Sequence, residues 1–377
     1  MSKLDDINLI KRLDKSDMHH LITHLPEQIY KAYFDFSICN LMFDIAGQSA
    51  SYSKPTEMVL CGMGGSAIAG DITKAIFDDK IPITVVKNYT LPTVLEGCSP
   101  LYIIISYSGD TEETICCFKQ AIKNTQNVIV ITSGGIIKEM AKGKCSIVEL
   151  PKDLPARVAI GYLFFSILKV LEMYRIADNY SARIKHLVGN LMQKAGSLCV
   201  KMETEMNLAK SSALSIYPKI PLIYCSNPSL FPVAYRWKCQ INENAKMPAF
   251  YNSIPELCHN EIESWTTKTY QDMFVPIFLR SFNDKKEHFE KGKVFKTMLE
   301  SNKIDYLEFL GDSIILPNSS DNLIDPIDYK IFDIFTLIYL GDVISFYLAI
   351  LNNVDPSEIK NIEYIKKQLN KENKDYV

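Results

Sequence analysis

The chain has 377 residues, of which 47% are hydrophobic and 23% charged, and its formal net charge is −3. That length predicts two domains with connecting helices and enough chain to bury two sizeable cores. The charge balance supplies no basic field for nucleic acid, so a small anionic ligand has to be held by local donors. Ten cysteines occur without a CxxC pair, and no apolar run follows Met1-Ser2-Lys3-Leu4. Both features predict a cytoplasmic protein with reduced packing thiols.

Residues 1–50 read as helical, with Ile29, Ala32, Tyr33 and Phe36 forming one apolar stripe. Short apolar runs at Glu57–Cys61, Ile83–Val86, Tyr102–Ser106 and Val128–Thr132 read as buried strands. Helical segments follow Ser66, Asp110 and Gly135. Strands alternating with helices predict a parallel sheet covered on both faces. After a boundary at Leu150–Pro155, Arg157–Ile176 reads as a helix. A second round has strands at Pro221–Cys225, Met273–Leu279 and Tyr306–Leu310, with helices near Val233–Asn242 and Lys286–Asn302. Asn318–Asp325 reads as a polar loop. The longest apolar stretch, Ile331–Leu351, contains Asp333 and Asp342. A carboxylate near a membrane centre costs roughly 2.5–3.5 kcal/mol, so this segment reads as a buried helix and no membrane span is expected. A tail helix follows Val354-Asp355-Pro356.

Two loops carry chemistry. Cys61-Gly62-Met63-Gly64-Gly65-Ser66 follows a strand and opens a helix. Its glycines permit close backbone approach, and the helix start presents free N–H groups to an anion. A phosphate or sugar site, a dinucleotide site and plain tight packing all stay open on spacing alone. The GxGxxG and Gly-Lys-Ser/Thr patterns of nucleotide sites are not met. Ser106-Tyr107-Ser108-Gly109-Asp110-Thr111 sits equivalently. A helix cap at Thr111 accounts for one hydroxyl, whereas Ser106, Ser108 and Thr111 together suit a phosphate. His19, His20 and His24 lack a neighbouring carboxylate or thiol in the sequence, so a solvated helix face is expected there and no metal site.

Gly62–Asp71 (GMGGSAIAGD) and Ser106–Thr114 (SYSGDTEET) resemble the paired motifs of the bifunctional phosphoglucose/phosphomannose isomerases, which are double sugar-isomerase (SIS) domain proteins. The resemblance continues through Pro155–Tyr162, Asn242–Lys246, Pro255–Glu261, Ser345–Ala349 and Val354–Pro356, in order over most of the chain. It implies two SIS-type doubly wound α/β domains, each a mainly parallel sheet flanked by helices, with a C-terminal helical tail. The boundaries expected are 1–152 for the N-terminal domain, 153–190 for connecting helices, 191–351 for the C-terminal domain and 352–377 for the tail.

The activity implied is aldose–ketose isomerisation of glucose 6-phosphate, and of mannose 6-phosphate, to fructose 6-phosphate in carbohydrate metabolism (glycolysis and gluconeogenesis). It proceeds by proton transfer through an enediol and uses no cofactor or metal. The resemblance makes Glu243 the base, His259 the ring-opening group and Arg157 the fixed positive charge. Lys366, or the adjacent Lys367, is the tail lysine. Gly64, Gly65, Ser66, Ser106, Ser108 and Thr111 are the phosphate contacts. It also implies a homodimer in which His259 crosses into the neighbouring site. Asp110 departs from the family's usual Asn and is expected to point outward or cap a helix. Ser357 departs from a Thr but stays small, leaving room for mannose 6-phosphate. Two other readings compete. A SIS-type regulator would bind a sugar phosphate without catalysis and would not need Glu243, His259, Arg157 and Lys366 together. A glutamine-dependent synthase would need a cysteine where Ser2 stands.

Overall fold

The computed structural model describes residues 2–37, 55–125, 127–312 and 326–372. The helical reading of 38–50 and the polar loop Asn318–Asp325 lie outside them. Helices α1 (Ile7–Leu13), α2 (Met18–Thr23) and α3 (Leu25–Phe34) lead. Ile29, Ala32 and Tyr33 are buried, as the stripe predicts, and Phe36 packs against the same cluster. Next come β1 (Glu57–Cys61), α4 (Gly64–Phe77), β2 (Ile83–Val86), β3 (Pro100–Ile105), α5 (Glu112–Asn124), β4 (Val128–Thr132), α6 (Gly135–Ala141) and β5 (Ser146–Glu149). The strands pair in parallel in the order β2-β1-β3-β4-β5. Connecting helices α7 (Ile160–Met173), α8 (Ser181–Ser197) and α9 (Leu208–Ile216) lead to the second round.

That round contains β6 (Ile220–Cys225), α10 (Phe231–Gln240), β7 (Phe250–Ser253), α11 (Ile254–Leu257), α12 (Lys268–Gln271), β8 (Phe274–Arg280), α13 (Lys286–Ser301) and β9 (Leu307–Leu310). Its sheet is also parallel, in the order β7-β6-β8-β9. Helix α14 (Pro326–Leu351) and tail helix α15 (Lys360–Glu372) close the chain. Strands β5 and β7 are absent from the sequence reading. Each has only two apolar residues, Ile147 and Val148 in β5 and Phe250 and Tyr251 in β7, so neither produces an apolar run, whereas the edge strands β2 and β9 carry three each and are legible.

Strand alternation explains the interior. In the first sheet, Val59, Tyr102, Ile104 and Val130 point to an outer cluster with Phe118 and Ile137. The intervening Met58, Leu60, Ile103 and Ile131 join a central core. The second sheet does the same, with Tyr224 and Phe278 outward and Ile223 and Ile277 inward. The central core is continuous across both sheets through α7, α10 and α14. The interior is thus one shared core flanked by two outer clusters.

Helix α14 is long and apolar enough to cross a membrane, but 94% of its apolar window is buried inside the fold. Asp328 at its start is ion-paired with Arg183, and the two carboxylates within the apolar stretch also have protein partners. Asp333 accepts hydrogen bonds from the Ser281 hydroxyl and from the Phe282 N–H at 3.2 Å. Burial pushes its carboxyl up to about 7. Asp342 receives a fork from Arg236, Nε–Oδ1 3.1 Å and Nη2–Oδ2 2.6 Å, with both side chains at most 5% exposed. Removing one partner of such a pair strands a buried charge. Asp342→Ala is therefore expected to lower the unfolding free energy by about 3–5 kcal/mol in urea melts, whereas replacing both partners by apolar residues should cost less.

Candidate active site

The two predicted loops stand side by side at the carboxyl ends of β1 and β3. The Ser66 hydroxyl accepts the Tyr107 N–H at 3.3 Å and ties one loop to the other. Ser106 Oγ accepts from the Gly109 N–H at 3.1 Å and donates to Thr111 Oγ1 at 3.3 Å. Ser108 Oγ accepts from the Asp110 N–H at 3.4 Å. Each hydroxyl oxygen thus serves the loop, while the protons of Ser66, Ser108 and Thr111 remain to donate to an anion. Thr111 occupies the N-cap position of α5 without a side-chain cap bond, so its hydroxyl is not spent on the helix. Asp110 caps elsewhere: its carboxylate accepts the Ile136 N–H at the start of α6. That takes its charge away from the hydroxyls, as expected of the departure from Asn.

Glycine is required where the first loop meets the connection to α7. Gly64 has φ 52°, and a Cβ at Gly65 would stand 3.0 Å from the Ala156 carbonyl oxygen and 3.3 Å from Arg157 Cα. This close approach brings the start of α4 against the backbone of Arg157. Tyr107 fastens the same connection. Its hydroxyl donates to the Pro151 carbonyl (2.7 Å) and accepts the Leu154 N–H (3.1 Å).

The Arg157 side chain is 6% exposed, and three of its five N–H donors have hydrogen-bond partners. Nε donates to Asn244 Oδ1 at 2.8 Å. Nη2 donates to the carbonyls of Pro356 and Ser357 at 2.9 and 3.0 Å. Nη1 faces the Glu243 carboxylate at 3.8 Å. Arg236 donates to the Arg157 carbonyl at 2.7 Å, so the buried ion pair of α10 and α14 also braces this residue. Burial depresses the Arg157 guanidinium, and the charges of Glu243 and Asp355 oppose that shift.

Glu243 lies on a π-helical turn, Ile241–Ala245, that continues α10. Such turns interrupt helix register and re-aim side chains. Asn244 is fully buried, and its Nδ2 donates to Ser345 Oγ on α14 at 2.9 Å, which fixes the carbonyl end toward Arg157. Lys246 ends the turn in a left-handed conformation with φ 57°. Its ammonium donates to the carbonyls of Glu243 (2.8 Å), Asn244 (3.2 Å) and Asp355 (2.8 Å). Burial, then the Arg157 charge, push Lys246 down to about 8. These bonds clasp the Glu243 turn to the chain before α15. Asn244, Lys246 and Arg236 have no role in the sequence reading; the signal available was a buried Asp342 that needed a cation.

Glu243 and Lys246 line a cleft of about 970 Å³ with Asp355, Glu358 and Lys360. The tail lysine of that cleft is Lys360, six residues before Lys366. Lys366 and Lys367 are both exposed on α15 and do not line it. Ser357 lies beside Arg157 through its carbonyl, and its buried hydroxyl has no hydrogen-bond partner. His259 follows α11, is exposed and does not line the cleft with Glu243 of its own chain. Contacts run from the two loops through Gly65 to Arg157, and from Arg157 to Glu243 and the Ser357 carbonyl; of these residues only Glu243 lines the cleft, and neither His259 nor Lys366 does.

The amino-terminal histidines do not form one helix face. His19 is half-buried and packs edge-on against Phe346 at 5.0 Å, and desolvation of the ring pushes it down to about 4, so it is neutral near pH 7. The His20 and His24 ring centroids are 3.6 Å apart across the α2–α3 junction. Among the described residues no group of three or more His, Cys, Asp or Glu could hold a metal ion.

The family model described as the bacterial phospho-glucose isomerase C-terminal SIS domain matches residues 205–314 and 328–369. Its span includes the Glu243 turn, His259, Ser357 and Lys366. The chain is 32% identical over 356 residues to the bifunctional phosphoglucose/phosphomannose isomerase of Caldicellulosiruptor bescii, covering 93% of this chain and 98% of that one. It is 34% identical over 350 residues to the protein of the same name from Aquifex aeolicus, covering 92% and 99%. The crystal structure of a hypothetical protein from Thermus thermophilus superimposes with a TM-score of 0.69 at 12% identity, covering 97% of this chain and 92% of that one, which shows a common fold.

Proposed function

Because the chain belongs to the bifunctional phosphoglucose/phosphomannose isomerases, we propose that it interconverts fructose 6-phosphate with glucose 6-phosphate and mannose 6-phosphate, with Glu243 as the base. The observation that carries the residue assignment is the Arg157–Glu243 contact at 3.8 Å, on a connection that Gly65 packs against. In this reading the phosphate sits on the free N–H groups of α4 and α5 and on the hydroxyl protons of Ser66, Ser108 and Thr111. The sugar then extends toward Arg157 and Glu243. Glu243 takes the C2 proton of the aldose. Electrons shift toward the carbonyl oxygen to give an enediolate, the C2 hydroxyl proton passes to O1, and the same carboxyl returns its proton to C1 as the C2 carbonyl forms. The Nη1 donors of Arg157 stabilise the negative oxygen as it develops.

Ring opening is assigned to His259 of a neighbouring copy, because His259 does not line its own chain's cleft. That makes the active unit a homodimer in the cytoplasm, acting in glycolysis and gluconeogenesis. The tail supplies a lysine, Lys366 or Lys360, once a sugar is bound. The small side chain of Ser357 leaves space for both C2 epimers. No metal or other cofactor takes part. The purified chain should convert fructose 6-phosphate to both aldose phosphates with unchanged rate in excess chelator. Formation of glucose 6-phosphate alone would overturn the dual specificity. Binding without turnover would favour a regulatory protein.

A further inference from the structure

The two sheets place a second pair of loops in the position of the first. The order β2-β1-β3-β4 matches β7-β6-β8-β9, all parallel. The loop between β1 and α4 therefore corresponds to Ser226–Leu230, between β6 and α10. The loop between β3 and α5 corresponds to Ser281–Lys285, between β8 and α13. In open parallel sheets, ligands bind at such carboxyl ends. Asn227, Ser229, Ser281, Asn283 and Lys285 of these loops line a cavity of about 780 Å³ that is separate from the cleft holding Glu243.

From this geometry we infer that the C-terminal sheet carries a second, non-catalytic binding site for a sugar phosphate. The inference rests on the proposed reading of the first loop pair as a phosphate site. Charge supports it. The cavity wall holds Lys74, Lys87, Lys285 and Lys330 against only Asp71 and Asp78, within a chain of net charge −3. Asp71 is paired with Lys87 at 2.6 Å and Asp78 with Lys74 at 2.9 Å. Lys285 and Lys330 have no carboxylate partner among the described contacts; Lys330 reaches only the Ile76 carbonyl, at 3.4 Å. Helix α13 begins directly after Lys285 without a side-chain cap, which leaves its first N–H groups open. Phe231, Tyr235 and Tyr251 form an aromatic wall, with ring centroids 5.1 and 5.2 Å apart, against which a sugar face can lie.

The chemistry here is binding only. Ser229 Oγ donates to Asn227 Oδ1, and Ser281 donates to Asp333, so the hydroxyl protons that serve the first site are spent. The wall carboxylates are ion-paired and offer no base. The two sites are linked mechanically. Helix α4 starts at Gly64 in the first site and presents Asp71, Lys74 and Asp78 to the second. Helix α10 starts at Phe231 in the second site and runs into the Glu243 turn. A ligand in the cavity therefore bears on both helices that position the proposed base and phosphate loop.

Calorimetric titration of the full chain with glucitol 6-phosphate, which has no carbonyl to isomerise, counts the sites. Two molecules per chain are expected. Lys285→Glu with Lys330→Glu should remove one, weakening it at least tenfold, and leave the other. Ser108→Ala with Thr111→Ala should weaken the remaining one. Binding unaffected by the lysine changes would overturn the second site. If the lysine pair matters and the hydroxyl pair does not, the second site stands and the reading of the first loops falls. Lys285→Met with Lys330→Met repeats the test with the side-chain stems kept, should the charge reversals impair folding.

Discussion

Glu243→Gln should bind sugar phosphate almost as tightly as the native chain and turn over about 10²–10⁴-fold more slowly, the range a positioned acid–base group contributes. The change keeps size and hydrogen bonding and removes only the basic oxygen. Little should happen to the fold. Glu243 is 30% exposed, its one ion pair among the described residues is a 3.8 Å contact with Arg157, and the turn is held by the backbone carbonyls that Lys246 clasps. Loss of turnover with an unchanged melting temperature and unchanged affinity is therefore the expected combination. Native turnover in Glu243→Gln would remove Glu243 from the reaction.

Arg157→Ala should fail differently, losing both stability and rate. The guanidinium holds Asn244 Oδ1 and the carbonyls of Pro356 and Ser357 in a largely buried setting. Hydrogen bonds to charged groups contribute about 1.5–3 kcal/mol each, and stranded acceptors add a desolvation cost. The loss should be several-fold smaller than their sum, because the tail can detach into water. Detachment itself should show as faster proteolysis before α15. Turnover should fall by about 10²–10³-fold, the scale of one lost preorganised donor. Arg157→Lys keeps the charge but lacks the planar fork whose separate nitrogens serve Asn244 on one side and the Pro356 and Ser357 carbonyls on the other, so it should recover part of the rate and little of the tail's protection. Equal losses in both variants would show that charge plays no separate part.

The fold was legible where burial wrote itself into short apolar runs. Strand β3, buried at every position, reads directly from its sequence. Strands β5 and β7 do not, because each has only two apolar residues beside polar ones. In α14 the sequence argued from Asp333 and Asp342 that the helix avoids lipid, and their partners are now visible. Arg236 could not be matched to Asp342 beforehand, since 106 residues separate them and nothing local distinguishes this arginine.

The site divides in the same way. The two glycine- and hydroxyl-bearing loops are local objects, a strand end and a helix start within a few residues, and spacing alone marked them as one candidate anion site among other readings. Arg157 and Glu243 are 86 residues apart in the chain and came only from the resemblance. Asn244 and Lys246 stood inside a recognised motif, yet their work is to hold segments that meet only in the folded chain. Such roles belong to tertiary contacts and leave no periodic trace.

The proton path itself offers the most direct test. Glucose 6-phosphate carrying deuterium at C2 should give fructose 6-phosphate with part of the label at C1 and part lost to solvent, because one carboxyl carries the hydron and exchanges it in competition with return. Complete retention at C1, with no solvent hydrogen entering at any stage of the reaction, would mean direct hydride migration and would contradict the assignment of Glu243 as the base.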